Sequence, residues 1–168
     1  ASGAVDSTAQ AVVIGALAAA GAAAAIAAVR VVRAAGLLRH RAREHARDVR
    51  LVGRATADAD VVVIDAPQPA AYCVTGRPGA IVFTSAALAA LHDRQPAAVL
   101  AHERAHLAGH HLTVMVGMRA LARVFPRLLL ITEGVQQVSR LLEMCADDVA
   151  VRDHGARALL SGLIALCG

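Results

Sequence analysis

The chain has 168 residues, enough for one domain of ordinary size with a buried core. Hydrophobic residues make up 57% of it but aromatic residues only 2%, so the core must be built from Ala, Val and Leu and offers little surface for stacking bases. The net charge is +4, yet a local excess of +6 lies between Arg30 and Arg54 and the remaining sequence carries −2. A basic segment on a near-neutral protein excludes a nucleic-acid-binding surface spread over the domain.

The first segment carries no charged residue over 23 positions, from Ser7 to Val29. Because a bilayer is crossed by about 20 apolar residues, we predict an Ala-rich transmembrane helix within residues 1–35 and a folded domain over 36–168. The arginines that follow the apolar run place its C-terminal side in the cytoplasm by the positive-inside rule. The alternative is an Ala-rich helix that packs on a soluble domain. Since the sequence begins at Ala1 and ends straight after an apolar run, we expect it to be part of a longer or processed protein.

The middle of the chain predicts three short strands followed by helices, which together form a small α+β domain. β-branched residues and flanking Pro and Gly residues indicate the strands, and helical periodicity indicates the helices. The arginines at i, i+4 and i+8 of the helix after His111 argue against a second transmembrane segment. The predicted strands are 61–65, 71–74 and 80–84, with a turn at 76–79 between the last two. Two helices follow: one runs from Ala86 to about His92 and is capped by Ser85, and the next is capped by Asp93 or Gln95 and has Pro96 in its first turn. The later helices run from His111 to about Ile131 with a break at Pro126, from about Gly134 to Asp153 with Gly155 as the cap, and from Ala156 onward.

The helix that begins near Pro96 contains the stretch His102-Glu103-Arg104-Ala105-His106, an H-E-x-x-H pattern. Residues four apart lie on one face of a helix, so both imidazoles can reach one metal ion. Glu103 is one position further on and can reach a water on that ion without being a ligand itself. The pattern predicts a zinc site, against the alternative of a half-exposed polar helix face.

A zinc ion with two histidine ligands needs a third protein ligand and an open position. Glu143 offers that ligand from a mainly apolar part of the late helix, and Asp147, one turn on, is placed to accept a hydrogen bond from a ligand histidine and fix its tautomer. The alternative is a pair of acids on a solvated face. Cys145 lies between them, and we predict an inert buried thiol there, against the alternative that it is itself a metal ligand. With Cys73 and Cys167 it makes an odd number without C-x-x-C spacing, which favours a reducing compartment over a disulfide framework.

These two motifs resemble those of the gluzincin peptidases, H-E-x-x-H followed by E-x-x-x-D. The closer resemblance is to membrane metallopeptidases of the BlaR/MecR type, and next to the heat-shock and CAAX-prenyl membrane proteases. It extends over roughly residues 36–155. The resemblance implies a minimal gluzincin-like fold, with a short sheet, an active-site helix and a third-ligand helix, tethered to the membrane and facing the cytoplasm. One departure is that Pro69-Ala70 replaces the Asn that usually precedes the Ala-aromatic pair in the prenyl and heat-shock proteases, so any substrate hydrogen bond from that Asn is absent.

The resemblance implies that His102, His106 and Glu143 bind one Zn²⁺ per chain, that Glu103 is the general base for a zinc-activated water, and that Asp147 supports a ligand histidine. We therefore predict a membrane-associated zinc metalloendopeptidase that cleaves a protein or peptide substrate held along a sheet edge.

The residue that stabilises the oxyanion is left open among three candidates. They are His154, three helical turns after Glu143; Tyr72, on a predicted edge strand; and His110, one turn beyond His106. A structural histidine is the default for His110, His111 and His154.

Two other functions are kept as alternatives to constitutive proteolysis. One is a metal-binding signal transducer or antirepressor regulator whose proteolysis is gated or vestigial. The other is an Ala-rich helical membrane scaffold without metal, which predicts no stoichiometric zinc.

Overall fold

The computed structural model describes residues 2–76 and 79–167, and it confirms a mixed α+β architecture with a small sheet and a long apolar N-terminal helix. The predicted turn at 76–79 includes Arg77 and Pro78, which lie outside the described residues. In chain order the elements are α1 (Ser2–Val52), β1 (Arg54–Ala55), β2 (Val61–Ile64), β3 (Ala71–Val74), β4 (Ala80–Thr84), α2 (Ser85–Ala90), α3 (Gln95–Ala108), α4 (His111–Val124), α5 (Leu129–His154) and α6 (Ala156–Cys167).

The four strands form one sheet in the order β1-β2-β4-β3. The central pair, β2 and β4, is parallel, while β1 and β3 pair antiparallel on the outside. Every residue of β4 is buried because both faces of the sheet are covered, which is why its sequence is a continuous apolar run rather than an alternating one. The strand β3 is an edge strand, as the sequence predicted for Tyr72.

The two faces of the sheet pack against different helices. On one face, Val74 and Val82 contact the C-terminal half of α1 at Ala46 and Val49. On the other face, a second cluster joins the sheet to α2, α3 and α6; its members are Val61, Ile81, Phe83, Ala87, Leu91 and Val99, with Ala165 and Leu166 at its rim. Cys73 packs on this second face, so alternate residues of β3 point towards α1 and towards α3.

The helix α1 continues unbroken from the apolar segment through the arginine-rich segment to Val52, a length of about 77 Å. The segment from Thr8 to Val52 is long and apolar enough to cross a membrane, and no residue of its most apolar stretch is buried. Arginines recur every three or four residues at positions 39, 43, 47, 50 and 54, and this spacing predicts a helical continuation. Arg54 is the exception, because the helix has ended and that residue lies in β1.

Two helix starts differ from the predictions in the residue that occupies the cap position. Thr84, not Ser85, caps α2, since its Oγ1 accepts a hydrogen bond from the Ala87 N–H at 3.0 Å. Ser85 is already helical, and its hydroxyl donates to Asp65 at 2.7 Å. At the start of α3 the cap position is Arg94, which makes no side-chain cap, so the predicted caps at Asp93 and Gln95 are wrong.

The helix boundaries around Pro126 also differ from the predictions. α4 ends at Val124 and α5 begins at Leu129, so Leu129–Ile131 belong to the later helix and not to the earlier one. The break at Pro126 is confirmed, as is the capping of α5 by Gly155, whose φ of +85° favours glycine. The short strand β1 was not predicted, because two residues carry no periodic signal.

Candidate metal centre and active-site cavity

Three side chains from two helices converge on one point. His102 and His106 are one turn apart on α3, and Glu143 comes from α5, which packs along it. The two Nε2 atoms are 3.1 Å apart, and Glu143 Oε2 lies 3.5 Å from the first and 3.3 Å from the second. Ligand atoms about 2.05 Å from a tetrahedral zinc ion are about 3.3 Å from one another. The three distances measured here therefore match the three edges of one face of such a tetrahedron. The nitrogen, nitrogen and oxygen donors are also the set that zinc prefers.

The second nitrogen of His102 faces Asp147. Its Nδ1 is 3.0 Å from Asp147 Oδ1, a hydrogen-bond distance, although the two groups are not well aligned. Neither atom has another hydrogen-bond partner in the described parts of the chain. A carboxylate at Nδ1 holds the proton on that nitrogen, so the lone pair of His102 is left on Nε2, which points at the centre.

The second nitrogen of His106, Nδ1, faces His111, and it lies 2.8 Å from Nδ1 of that ring. One of these must carry the proton and the other accept it. Burial lowers the pKa of both rings, and it does so more than the neighbouring Glu143 carboxylate raises them. Both imidazoles are therefore neutral at pH 7. If His106 Nδ1 donates and His111 accepts, the lone pair on His106 Nε2 also points at the centre.

The chain returns His111 to this position by a tight turn between α3 and α4. His110 adopts a left-handed conformation with φ of +53°, which ends α3 and reverses the chain direction. Gly109 precedes it, and a Cβ at that position would overlap the His111 ring. Glycine allows the close approach of the His111 ring, because a Cβ at position 109 would have to displace that ring.

The carboxylate of Glu103 lies beside the centre, buried between α3 and β3. Burial raises the pKa of this carboxyl from 4.5 to about 7, although the neighbouring thiol and backbone of Cys73 act to lower it. The negative charge of Glu143 adds to that rise. A divalent cation held at the centre would lower the value again, since it favours the ionised form. Burial and the two carboxylates raise the pKa of the Cys73 thiol to about 12, so the thiol stays protonated as a donor.

The centre opens into a cavity of about 380 Å³. Tyr72 lines this cavity from β3, and burial raises the pKa of its hydroxyl, which therefore remains a donor at pH 7. Its ring stacks on His45 of α1, with the ring centroids 5.9 Å apart. Leu38 and Ala42 of α1 form part of the same wall, so the long N-terminal helix closes one side of the cavity.

The structure brings six of the predicted site residues together and leaves others apart; the six are His102, Glu103, His106, Glu143, Asp147 and Tyr72. His154 is the last residue of α5, and eleven residues of continuous helix separate it from Glu143 by about 16 Å along the axis. It is not among the described residues that line the cavity. His110 lines an adjacent cavity with His106 rather than this one. Cys145 is exposed, which corrects the prediction of a buried thiol, and it lies outside the three-residue metal group.

Two contributors to the site were not identified from the sequence. His111 is five positions after His106, which is not a helical spacing, so only the turn at Gly109 explains their contact. Cys73 of the strand lies close to Glu103 of the helix in the same cavity, although 30 positions separate them in the sequence. The one available signal for Cys73 was its place beside Tyr72 on a predicted edge strand.

A buried H-E-x-x-H helix, a carboxylate from a second helix and an edge strand beside them define a metallopeptidase-type site. The chain belongs to peptidase family M48, whose family model matches residues 33–130, more than half of its length. Members of that family are zinc-dependent metallopeptidases, so the chain is a peptidase by family. The matched residues end before Glu143, and the match does not distinguish the BlaR/MecR type within the family. No curated protein and no solved structure matches the chain.

Proposed function

We propose that this protein is a membrane-anchored zinc endopeptidase whose active site faces the cytoplasm. The observation that carries the proposal is the convergence of two imidazole lone pairs and one carboxylate oxygen, with 3.1–3.5 Å between them. Two lone pairs at that distance repel each other unless a cation or a proton lies between them. Because Nδ1 of each ring already has a partner, the electron-rich Nε2 atoms are left for a metal.

Each residue of the site then has a defined task. His102, His106 and Glu143 hold the zinc ion, while Asp147 and His111 keep the ring protons on Nδ1. Bound zinc supplies Lewis-acid activation of water and of the substrate carbonyl. Glu103 accepts a proton from the attacking water and passes it to the leaving amine, since it lies next to the centre without being a ligand. The hydroxyl of Tyr72 is our candidate for stabilising the oxyanion, and it shares the cavity wall with other donors at Thr75, Arg119 and Ser139.

The edge of β3 is the proposed substrate site. An edge strand has free backbone N–H and C=O groups, and a peptide can pair with them in an extended conformation. The helix α3 packs against β3, and Tyr72 and Cys73 of this strand line the catalytic cavity together with Glu103. A peptide added there would place its backbone beside Glu103 and Tyr72.

The membrane anchor and its orientation rest on α1. About 22 residues from Thr8 to Val29 span roughly 33 Å, close to the thickness of the hydrocarbon core. The arginines from Arg30 onward then favour the cytoplasm for the domain.

The test compares metal content and cleavage in the same preparations. Wild-type protein in detergent should bind one zinc ion per chain and cleave casein as well as a peptide blocked at both ends, which only an endopeptidase can cut internally. Glu143→Ala should lose both zinc and cleavage. Glu133→Ala, on the same helix and exposed, is the matched control and should lose neither.

Glu103→Gln separates the base from the ligands. This variant should keep its zinc and lose cleavage by a factor on the order of 10² to 10⁴. Undiminished cleavage by Glu103→Gln would refute the base role, and wild-type protein without stoichiometric zinc would refute the enzyme and favour the scaffold.

A gated regulator of the BlaR/MecR type is the second candidate, and one observation favours it. Leu38 and Ala42 of the anchor helix line the catalytic cavity, so a displacement of α1 in the membrane would change access to the zinc site. This candidate predicts bound zinc with little cleavage of casein until α1 is displaced or removed.

A further inference from the structure

A second cavity, of about 610 Å³, lies between α1 and α4, away from the metal centre. Its walls combine apolar side chains with three arginines and contain no acidic residue. The lining residues are Ala25, Ile26, Val29, Arg30, Arg33, Ala34, Leu37, Arg123 and Val124. We call this cavity the α1–α4 groove.

The groove exists because the two helices pack closely and then separate. Ala34 and Ala35 of α1 are buried against Ala120 of α4, so small side chains bring the two backbones together. The helices are antiparallel, since early residues of α4 lie beside late residues of α1 at the catalytic cavity, whereas the end of α4 lies beside Ala25–Leu37. Where α4 stops at Val124, α1 continues alone and the groove opens towards the apolar segment.

The three guanidinium groups of the groove have no counter-charge. Arg30, Arg33 and Arg123 form no ion pair with any described side chain, that is, within residues 8–76 and 79–167. Like charges around one cavity repel each other, and they attract an anion more strongly than any one of them alone. A planar guanidinium group can donate two parallel hydrogen bonds to two oxygens of one phosphate. A phosphate is therefore the anion that best fits this group of arginines.

The position of the groove selects the source of that phosphate. Ile26, Arg30, Arg33 and Leu37 lie on one face of α1, and this face passes from the apolar segment into the basic one. Leu128, Leu129 and Leu130, just beyond the end of α4, are 52%, 71% and 87% exposed. Apolar side chains exposed beside unpaired arginines, at the end of a membrane-spanning helix, match the boundary between acyl chains and headgroups.

We propose that the α1–α4 groove binds an anionic phospholipid, with the phosphate on Arg30, Arg33 and Arg123 and an acyl chain along Ile26 and Val29. The bound lipid joins α4 to the anchor helix and so seats the peptidase domain on the membrane surface. The inference rests on the membrane anchor proposed above, but not on the chemistry of the metal centre.

The test measures lipid binding to the full chain in neutral detergent. A short-chain phosphatidylglycerol should bind on the order of 100-fold more tightly than the phosphatidylcholine with the same acyl chains. This factor is the combined effect expected of three arginines at an anionic membrane surface. Inorganic phosphate should compete only weakly, because it lacks the apolar part. The triple variant Arg30→Gln, Arg33→Gln, Arg123→Gln should lose the preference for the anionic lipid.

The control removes the same charge elsewhere. The triple variant Arg140→Gln, Arg152→Gln, Arg157→Gln changes exposed arginines of α5 and α6 and should keep the preference. Equal binding of both lipids, a groove variant that binds like wild type, or inorganic phosphate that binds as tightly as the lipid would each overturn the proposal.

Zinc content and casein cleavage in the same samples separate the two proposals. Normal zinc without lipid preference refutes the groove alone, and lipid preference without zinc refutes the enzyme alone. If the chain stays soluble without detergent and does not enter vesicles of either lipid, the membrane anchor fails, and the groove proposal fails with it.

Discussion

Asp147→Asn tests whether the contact with His102 organises the metal centre. The substitution keeps the shape of the side chain and removes its charge, so Nδ1 of His102 loses the acceptor that holds its proton at 3.0 Å. Loss of such a partner weakens metal binding by about 10- to 100-fold. Because the Asp147 side chain is 43% exposed and the amide oxygen can still accept a hydrogen bond, we expect the lower end, about tenfold or 1.4 kcal/mol.

The assay is a zinc titration in competition with a chelating indicator, with circular dichroism to check the fold. Asp148→Asn is the matched control, since the adjacent residue is exposed and loses the same charge. Asp147→Ala, which removes the acceptor entirely, should weaken zinc further, towards 100-fold. If Asp147→Asn binds zinc like Asp148→Asn, the carboxylate does not orient His102 and this account of the ligand geometry is wrong.

Three further predictions concern stability. Arg104 bonds Asp60 through two nitrogens at 2.8 and 2.9 Å on the surface, so Arg104→Gln should lower the free energy of unfolding by about 0.5–1 kcal/mol in low salt and by less in high salt, measured by urea titration. Gly109→Ala adds a Cβ that overlaps the His111 ring and should cost about 1–3 kcal/mol and weaken zinc binding; wild-type values for both would contradict the close packing. In metal-free protein burial raises the pKa of the Glu103 carboxyl from 4.5 to about 7. Between these pH values the native state holds a proton that the unfolded state has lost, so the free energy of unfolding falls as the pH rises from 4.5 to about 7. Glu103→Gln should remove this dependence and be more stable than wild type above pH 7 by up to about 3 kcal/mol, whereas identical pH profiles would contradict the burial of the charge.

Much of the local structure follows from short-range pattern. β-branched runs predicted the three longer strands, and Pro126 and Gly155 marked helix ends, because those effects act within a few residues. The misplaced helix caps show the limit of that reasoning. Thr84 and Ser85 are both good capping residues, and the choice between them depends on Asp65, which occupies the Ser85 hydroxyl from another part of the chain.

The sequence by itself determined that two imidazoles and a carboxylate share one stretch of helix, since His102 and His106 are one turn apart and Glu103 follows directly. Helical period alone is enough for that conclusion. It also determined that an uncharged segment long enough to cross a bilayer precedes a basic one.

Tertiary structure decided what completes the centre. Glu143 lies 37 positions after His106 and Cys73 lies 30 before Glu103, and only the packing of α5 and β3 on α3 places them there. His111 is near in sequence, yet its contact with His106 depends on the reversal at Gly109 and His110. Contacts of this kind arise from how whole elements pack, so no local periodicity encodes them.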